Sequence, residues 1–191
     1  MLLRSTTEAV GAALEVVPQS PILEVICHTR EITSLRSIDS IGVVVSGDQS
    51  GLLALSGCAS GGCTVPDFTV RLGDTPVQCI SGMDGMGNIY AACGRGLICV
   101  SVNGAWVAQR VFHEPIVHVE VLDSDVLVVL VQAAVLIKSG TLETGRTLLS
   151  DGKLDEAAPG SSYIGSARVP AGSSTIVMGL SDGRVGLVAF G

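Results

Sequence analysis

Four segments of the chain repeat one pattern: an apolar strand-like run, a turn of Gly, Asp or Ser, and a second apolar run. They are VVVSGDQSGLLALS (43–56), IYAACGRGLICVSV (89–102), VLVVLVQAAVLIKS (126–139) and TIVMGLSDGRVGLVAF (175–190). The first and last align closely, with Gly47 on Gly179, Ser50 on Asp182, Gly51 on Gly183 and Leu55 on Leu187. The segments recur at roughly forty to fifty residues, a period that marks stacked supersecondary repeats. Such units cannot bury their apolar faces alone, so the repeat dictates an array.

Each hairpin is preceded by another strand-like run: ITSLRSI (32–38), VQCISGM (77–83), IVHVEVL (116–122) and YIGSARV (163–169). Three are followed by a further one: FTVRL (68–72), WVAQRVF (106–112) and GRTLL (145–149). The unit is therefore four short strands. Asn103-Gly104 is a hairpin-turn dipeptide, because both residues tolerate the positive φ that the turn needs. Gly140–Gly145 forms a longer turn in the third unit. Apolar residues at i, i+3, i+4 and i+7 are not sustained anywhere, which argues against helix. The expected fold is all-β, a β-propeller-like array of about four four-stranded antiparallel blades in one domain spanning 1–191. Its units are 32–72, 77–112, 116–149 and 163–190, the last completed by strand 21–27. Two arrangements stay open: a small ring closed by that strand, or an arc of a larger ring finished by a second copy or by further blades.

Composition supports strands covered on both faces. Hydrophobic residues are 47% of the chain, charged residues 15%, and mean hydropathy is +0.55. Aromatics are only 3%, so Val, Leu, Ile and Ala must fill the core. The most apolar run, Val126 to Ile137, is interrupted by Gln132 and is far shorter than the roughly twenty residues of a spanning helix. No membrane partner is expected. The N-terminal stretch carries Glu8 and Glu15 and lacks a clean apolar core, so no secretory signal is expected either. A net charge of −7 argues against nucleic acid as a partner, since a basic stripe is needed to displace counterions. Cys27, Cys79, Cys93 and Cys99 lie in apolar runs, where free Cys behaves as a small hydrophobe. The expected location is intracellular and cytoplasmic, with the nucleus left open.

At its turns and strand entries the chain resembles WD40 repeats. GLSDGRVGLVAF (179–190) resembles the family's turn between the second and third strands, with Asp182-Gly183 matched by Ser50-Gly51 in the first unit. CHTREITSL (27–35) resembles the family's Gly-His signature, with His28 ahead of the first strand, and His113 precedes IVHVEVL in the same way. No unit ends its third strand in Trp-Asp; Ser56, Ser101, Ser139 and Val188 stand there. The resemblance implies a buried His–Ser/Thr–Asp–Trp network in each blade. Without the Trp the expectation is that this network does not form and that aliphatic packing alone supports the blades.

The candidate chemical groups read as structural. Cys58 and Cys63 have a metal-like spacing, but a structural zinc takes four ligands and no second pair follows at a finger-like distance. Gly82, Gly85 and Gly87 superficially suggest a phosphate cradle, yet a strand follows them and not a helix N-terminus; a turn displaying Met83 and Met86 is expected. His118 and Glu120 share a strand face and could perform acid–base chemistry, although a salt bridge is the commoner use of such a pair. Asp123 and Asp125 read as turn acids, and 151–162 as a polar connection. No Ser sits in a nucleophile elbow, and the first residues of the innermost strands (Ile32, Val77, Ile116, Tyr163) share no polar position. The reading is a non-catalytic protein–protein interaction scaffold without cofactor, a subunit of an intracellular complex, whose partners are other proteins. The alternative is a propeller-type enzyme or small-ligand binder that uses the central channel.

Overall fold

The computed structural model describes residues 27–57, 66–122, 124–149, 163–168, 175–180, 183 and 185–189. They contain no helix and form four antiparallel sheets, each a simple meander. The first sheet is β1 (Ile32–Ile38), β2 (Val43–Asp48), β3 (Leu52–Gly57) and β4 (Phe68–Arg71). The second is β5 (Val77–Met83), β6 (Asn88–Cys93), β7 (Gly96–Ser101) and β8 (Trp106–Val111). The third is β9 (Ile116–Leu122), β10 (Asp125–Leu130), β11 (Ala134–Lys138) and β12 (Thr144–Leu149). The fourth is β13 (Tyr163–Arg168), β14 (Thr175–Leu180) and β15 (Val185–Ala189). The strands expected from the repeat pattern are therefore present, with ends shifted by a residue or two. The candidate closing strand 21–27 lies outside the described residues except for Cys27, as do the 58–63 cysteine pair, Asp123 and the 151–162 connection.

Turn chemistry sets the hairpins. Gly51 and Gly183, at equivalent places in the first and fourth sheets, both adopt left-handed backbone, φ +83° and +85°. That conformation costs Gly little because it has no β-carbon. Gly104 does the same after Asn103, at φ +85°. Asp84 closes the β5–β6 turn by accepting the Met86 and Asn88 amides, each at 2.9 Å. The glycine run there is thus a turn.

Burial explains why the strands read as continuous apolar runs. Every residue of β6 is buried, and so is all of β10 after Asp125. Alternate residues of one strand serve two different cores. Ile89 and Ala91 of β6 join Ile98 and Val100 of β7 against Val45, Leu53 and Leu55 of the first sheet. Tyr90 and Ala92, with Leu97 and Cys99, face the opposite way, against Val119, Val121, Val126 and Val128 of the third. Full burial of such an aliphatic side chain contributes about 1.5–3 kcal/mol.

The first strands of successive sheets adjoin one another: β1 beside β5, β5 beside β9, and β9 beside β13. The Thr33 hydroxyl donates to the Val77 carbonyl at 2.8 Å, tying the first pair. The start of β5 also presses on β2: at Gly47 a β-carbon would lie 2.4 Å from Val77 Cβ. Gly47→Ala is therefore expected to force the sheets apart at about 1–3 kcal/mol, the usual cost of overpacking. Gly85→Ala, with nothing within 4 Å, should stay within about 0.5 kcal/mol of wild type. Urea denaturation of both variants checks this; equal midpoints would contradict the close-approach account.

Candidate functional site at the inner strands

Just ahead of β1, the His28 side chain is 2% exposed and its ring bridges two residues of β2. Nδ1 lies 3.0 Å from Asp48 Oδ2, and Nε2 lies 2.7 Å from Ser46 Oγ. Asp48 also accepts the Ser50 amide at 2.8 Å, the Ser50 hydroxyl at 2.8 Å and the Leu52 amide at 3.0 Å. Burial pushes this carboxyl up, but the hydrogen bonds from Ser50, Leu52 and His28 outweigh it and hold it at about 2. This corrects the expectation that no such network forms without a Trp. A His–Ser–Asp network is present in the first sheet, because Asp48 at the end of β2 supplies the carboxylate and Ser50 donates to it.

The other candidate positions are placed differently. His113 is a surface residue, its side chain 73% exposed and 2.9 Å from Glu114. Gly51 and Gly183 are turn residues, and Asp182 lies outside the described residues.

A second polar cluster crosses three sheets. Arg36 of β1 donates from Nη2 to Glu120 Oε1 of β9 at 3.0 Å. The other Glu120 oxygen, Oε2, lies 3.6 Å from His118 Nε2. On the far side of the ring, His118 Nδ1 lies 3.8 Å from Cys79 Sγ of β5. The Val119 amide donates to that sulfur at 3.3 Å. Glu120 is buried, so its negative charge depends on these partners. Burial raises its carboxyl, but His118 and Arg36 prevail and hold it below the usual range. For His118, burial opposes the charge, while Cys79 and Glu120 favour it and push the ring up to about 9.

Beside this cluster lies a cavity of about 360 Å3, bordered by Arg36, Glu120 and the Gly82–Gly85 segment. Its rim is anchored by Asp84. The Tyr90 hydroxyl donates to Asp84 Oδ2 at 2.5 Å and accepts the Gly140 amide at 2.7 Å, linking the second sheet to the third. Burial raises the Asp84 carboxyl, but hydrogen bonds from Tyr90, Asn88 and Met86 bring it below the usual range. Met86, on the same turn, is 63% exposed.

Reasoning from strand starts missed Arg36. The informative position is the fifth residue, which is Arg36 in β1, Ser81 in β5 and Glu120 in β9. Ser81 turns inward, donating to the Gly82 carbonyl and accepting the Tyr90 amide. Arg36 and Glu120 meet across the sheets.

His118 carries a pH signature. Its folded value near 9 exceeds the ordinary value of about 6.5. Its contribution to stability is therefore complete below about pH 6.5 and is lost as pH rises through 9. Glu120 works in the opposite sense, its contribution being present above the ordinary carboxylate range and lost on acidification. The urea midpoint should fall between pH 6.5 and 9, and His118→Asn should flatten that slope. An identical slope in the variant would contradict the assignment.

No family model matches the chain, and no curated protein matches it in sequence. Solved structures do match. The β-propeller domain of Myceliophteria thermophila Cps50 (Swd1) superposes with a TM-score of 0.70 at 15% identity, covering 88% of this chain and 55% of that one. The C-terminal WD40 domain of Sif2 gives 0.72 at 13%, covering 91% and 50%. Chaetomium thermophilum Sqt1, solved bound to the N-terminus of ribosomal protein L10, gives 0.68 at 12%, covering 83% and 43%. The chain thus spans about half the length of these structures. Its all-β array of antiparallel sheets, joined through their first strands, has the fold of a WD40-like β-propeller.

Proposed function

We propose that this chain is a non-catalytic protein-interaction scaffold, acting as a subunit of a cytoplasmic assembly. The observation that carries the reading is the cavity at the inner strands, with its paired charges and its rigid, Met-bearing rim. Arg36 and Glu120 neutralise each other, so a partner can exchange into their pairing without leaving a charge buried alone. Met83 lines the cavity with them, and Met86, exposed on the turn that carries Asp84, offers an adaptable apolar contact. The net charge of −7 favours encounter with basic segments of partner proteins. The complex of Sqt1 with a ribosomal-protein terminus is a precedent for a protein ligand on this fold. The cavity also suits a small ligand, which is the second reading.

The proposal takes residues 1–191 as one domain whose arc is completed by further blades. Two observations support further blades over closure by strand 21–27. The chain spans about half of the propellers it resembles, and Ile32 and Leu35 of β1 are 50% and 66% exposed. The mass in solution tests this part: a dimer or larger species is expected, and a stable monomer of 19.5 kDa would favour closure by 21–27.

Affinity capture tests the binding site. The wild-type chain should recover a defined set of proteins, and Met86→Asp combined with Arg36→Ala should lose most of it, about tenfold or more, if the rim is a binding hot spot. Undiminished capture by the variant would place binding elsewhere. A small molecule retained in place of any protein would favour the second reading.

A further inference from the structure

The described cysteines differ in their surroundings. Cys93 donates to the Thr75 carbonyl at 2.9 Å. Cys99 is fully buried beside Tyr90; burial pushes its thiol up to about 11. Cys79 alone among them faces a histidine backed by a carboxylate. Its sulfur lies 3.8 Å from His118 Nδ1 and accepts the Val119 amide at 3.3 Å. His118 Nε2 faces Glu120, and Arg36 holds the other oxygen of that carboxylate. This arrangement, a thiol, an imidazolium and a carboxylate in series, has the components that activate a cysteine: a cation at the sulfur and an acid that holds that cation in place. The three side chains do not converge as metal ligands; no metal-holding cluster is found among the described residues.

Access is limited but present. Cys79 is 8% exposed, the His118 side chain is 22% exposed, and Glu120 borders the inner cavity.

We propose that Cys79 is a nucleophilic thiol and a site of covalent modification by small carbon electrophiles, with the His118 imidazolium favouring its thiolate and Glu120 as a positioning residue. In the reaction the thiol proton leaves to buffer base, the His118 imidazolium faces the resulting thiolate through Nδ1, and Glu120 holds the ring through Nε2. The sulfur lone pair forms a bond to the electrophilic carbon. With iodoacetamide as the probe, the carbon–iodine bond breaks, iodide leaves with the bonding pair, and a thioether remains. The adduct would lie across the His118 ring from the Arg36–Glu120 pair.

Exposure alone and activation predict opposite orders of reactivity. Cys27 is more exposed than Cys79, so simple access would label Cys27 first. Activation reverses this. Iodoacetamide alkylation of the full native chain, followed cysteine by cysteine by peptide mass spectrometry, should show Cys79 reacting faster than Cys27. His118→Asn should slow Cys79 about tenfold, and Glu120→Gln severalfold, while the Cys27 rate stays unchanged, since reactivity follows thiolate character. A merely structural role for either residue would raise the rates of all cysteines together. Cys79→Ser should remove that adduct only. The proposal is overturned if native Cys79 reacts more slowly than Cys27, or only after unfolding in urea. It is also overturned if its rate is the same in the folded His118→Asn variant. Should that variant unfold, the wild-type order of Cys79 and Cys27 decides.

Discussion

Burial of the middle strands of the second sheet, β6 and β7, on both faces is the constraint from which the remaining features follow. A four-stranded meander with Ile89 and Ala91 on one side and Tyr90 and Ala92 on the other has no polar face to turn to water. It can exist only between two neighbours, and each neighbour inherits the same demand on its far side. This is why the chain repeats its unit. It is also why charge is scarce within the strands and why Gly is placed where sheets or turns come close. The Gly47–Val77 contact shows this between sheets: a side chain at 47 would occupy the space that the next inner strand fills.

The few polar side chains inside the array occur where backbone or charge must be tied. Among the described residues, no buried side-chain nitrogen or oxygen lacks a hydrogen-bond partner. His28, Ser46 and Asp48 fix the entry into β1 against β2. Asp84, Tyr90 and the Gly140 amide fix a turn of the second sheet to the third. Arg36, Glu120, His118 and Cys79 link three inner strands. The last group differs from the others in setting a thiol directly against an imidazole that a buried carboxylate faces. The same charges that offset the burial of Glu120 therefore also create the chemically distinct spot on the molecule.

The strands were legible because they are short, apolar and bounded by Gly, Asn and Asp turns, so the period-2 and turn signals agree. The Asp84–Gly87 loop was legible for the same reason. The polar clusters were less so, because they depend on which residues from distant segments meet. Arg36 and Glu120 are 84 positions apart, and nothing local to either announces the other. His118 and Glu120 could be paired by strand alternation, but Cys79 read as another apolar residue. Asp48 was obscured by aligning Ser50 with Asp182. That alignment is sound for the turn glycines, yet it shifts attention from the carboxylate that His28 actually meets.

The central claim is that the sheets stabilise one another as a cooperative stack, with no sheet able to hold its fold alone. Native-state hydrogen exchange on the intact chain tests it most directly, because it resolves the opening free energy of each strand. The account predicts that the amides of β6 and β10, on either side of the second core, exchange through one shared opening with the same free energy. Exchange of β10 through a separate, lower-energy opening while β6 stays protected would contradict it.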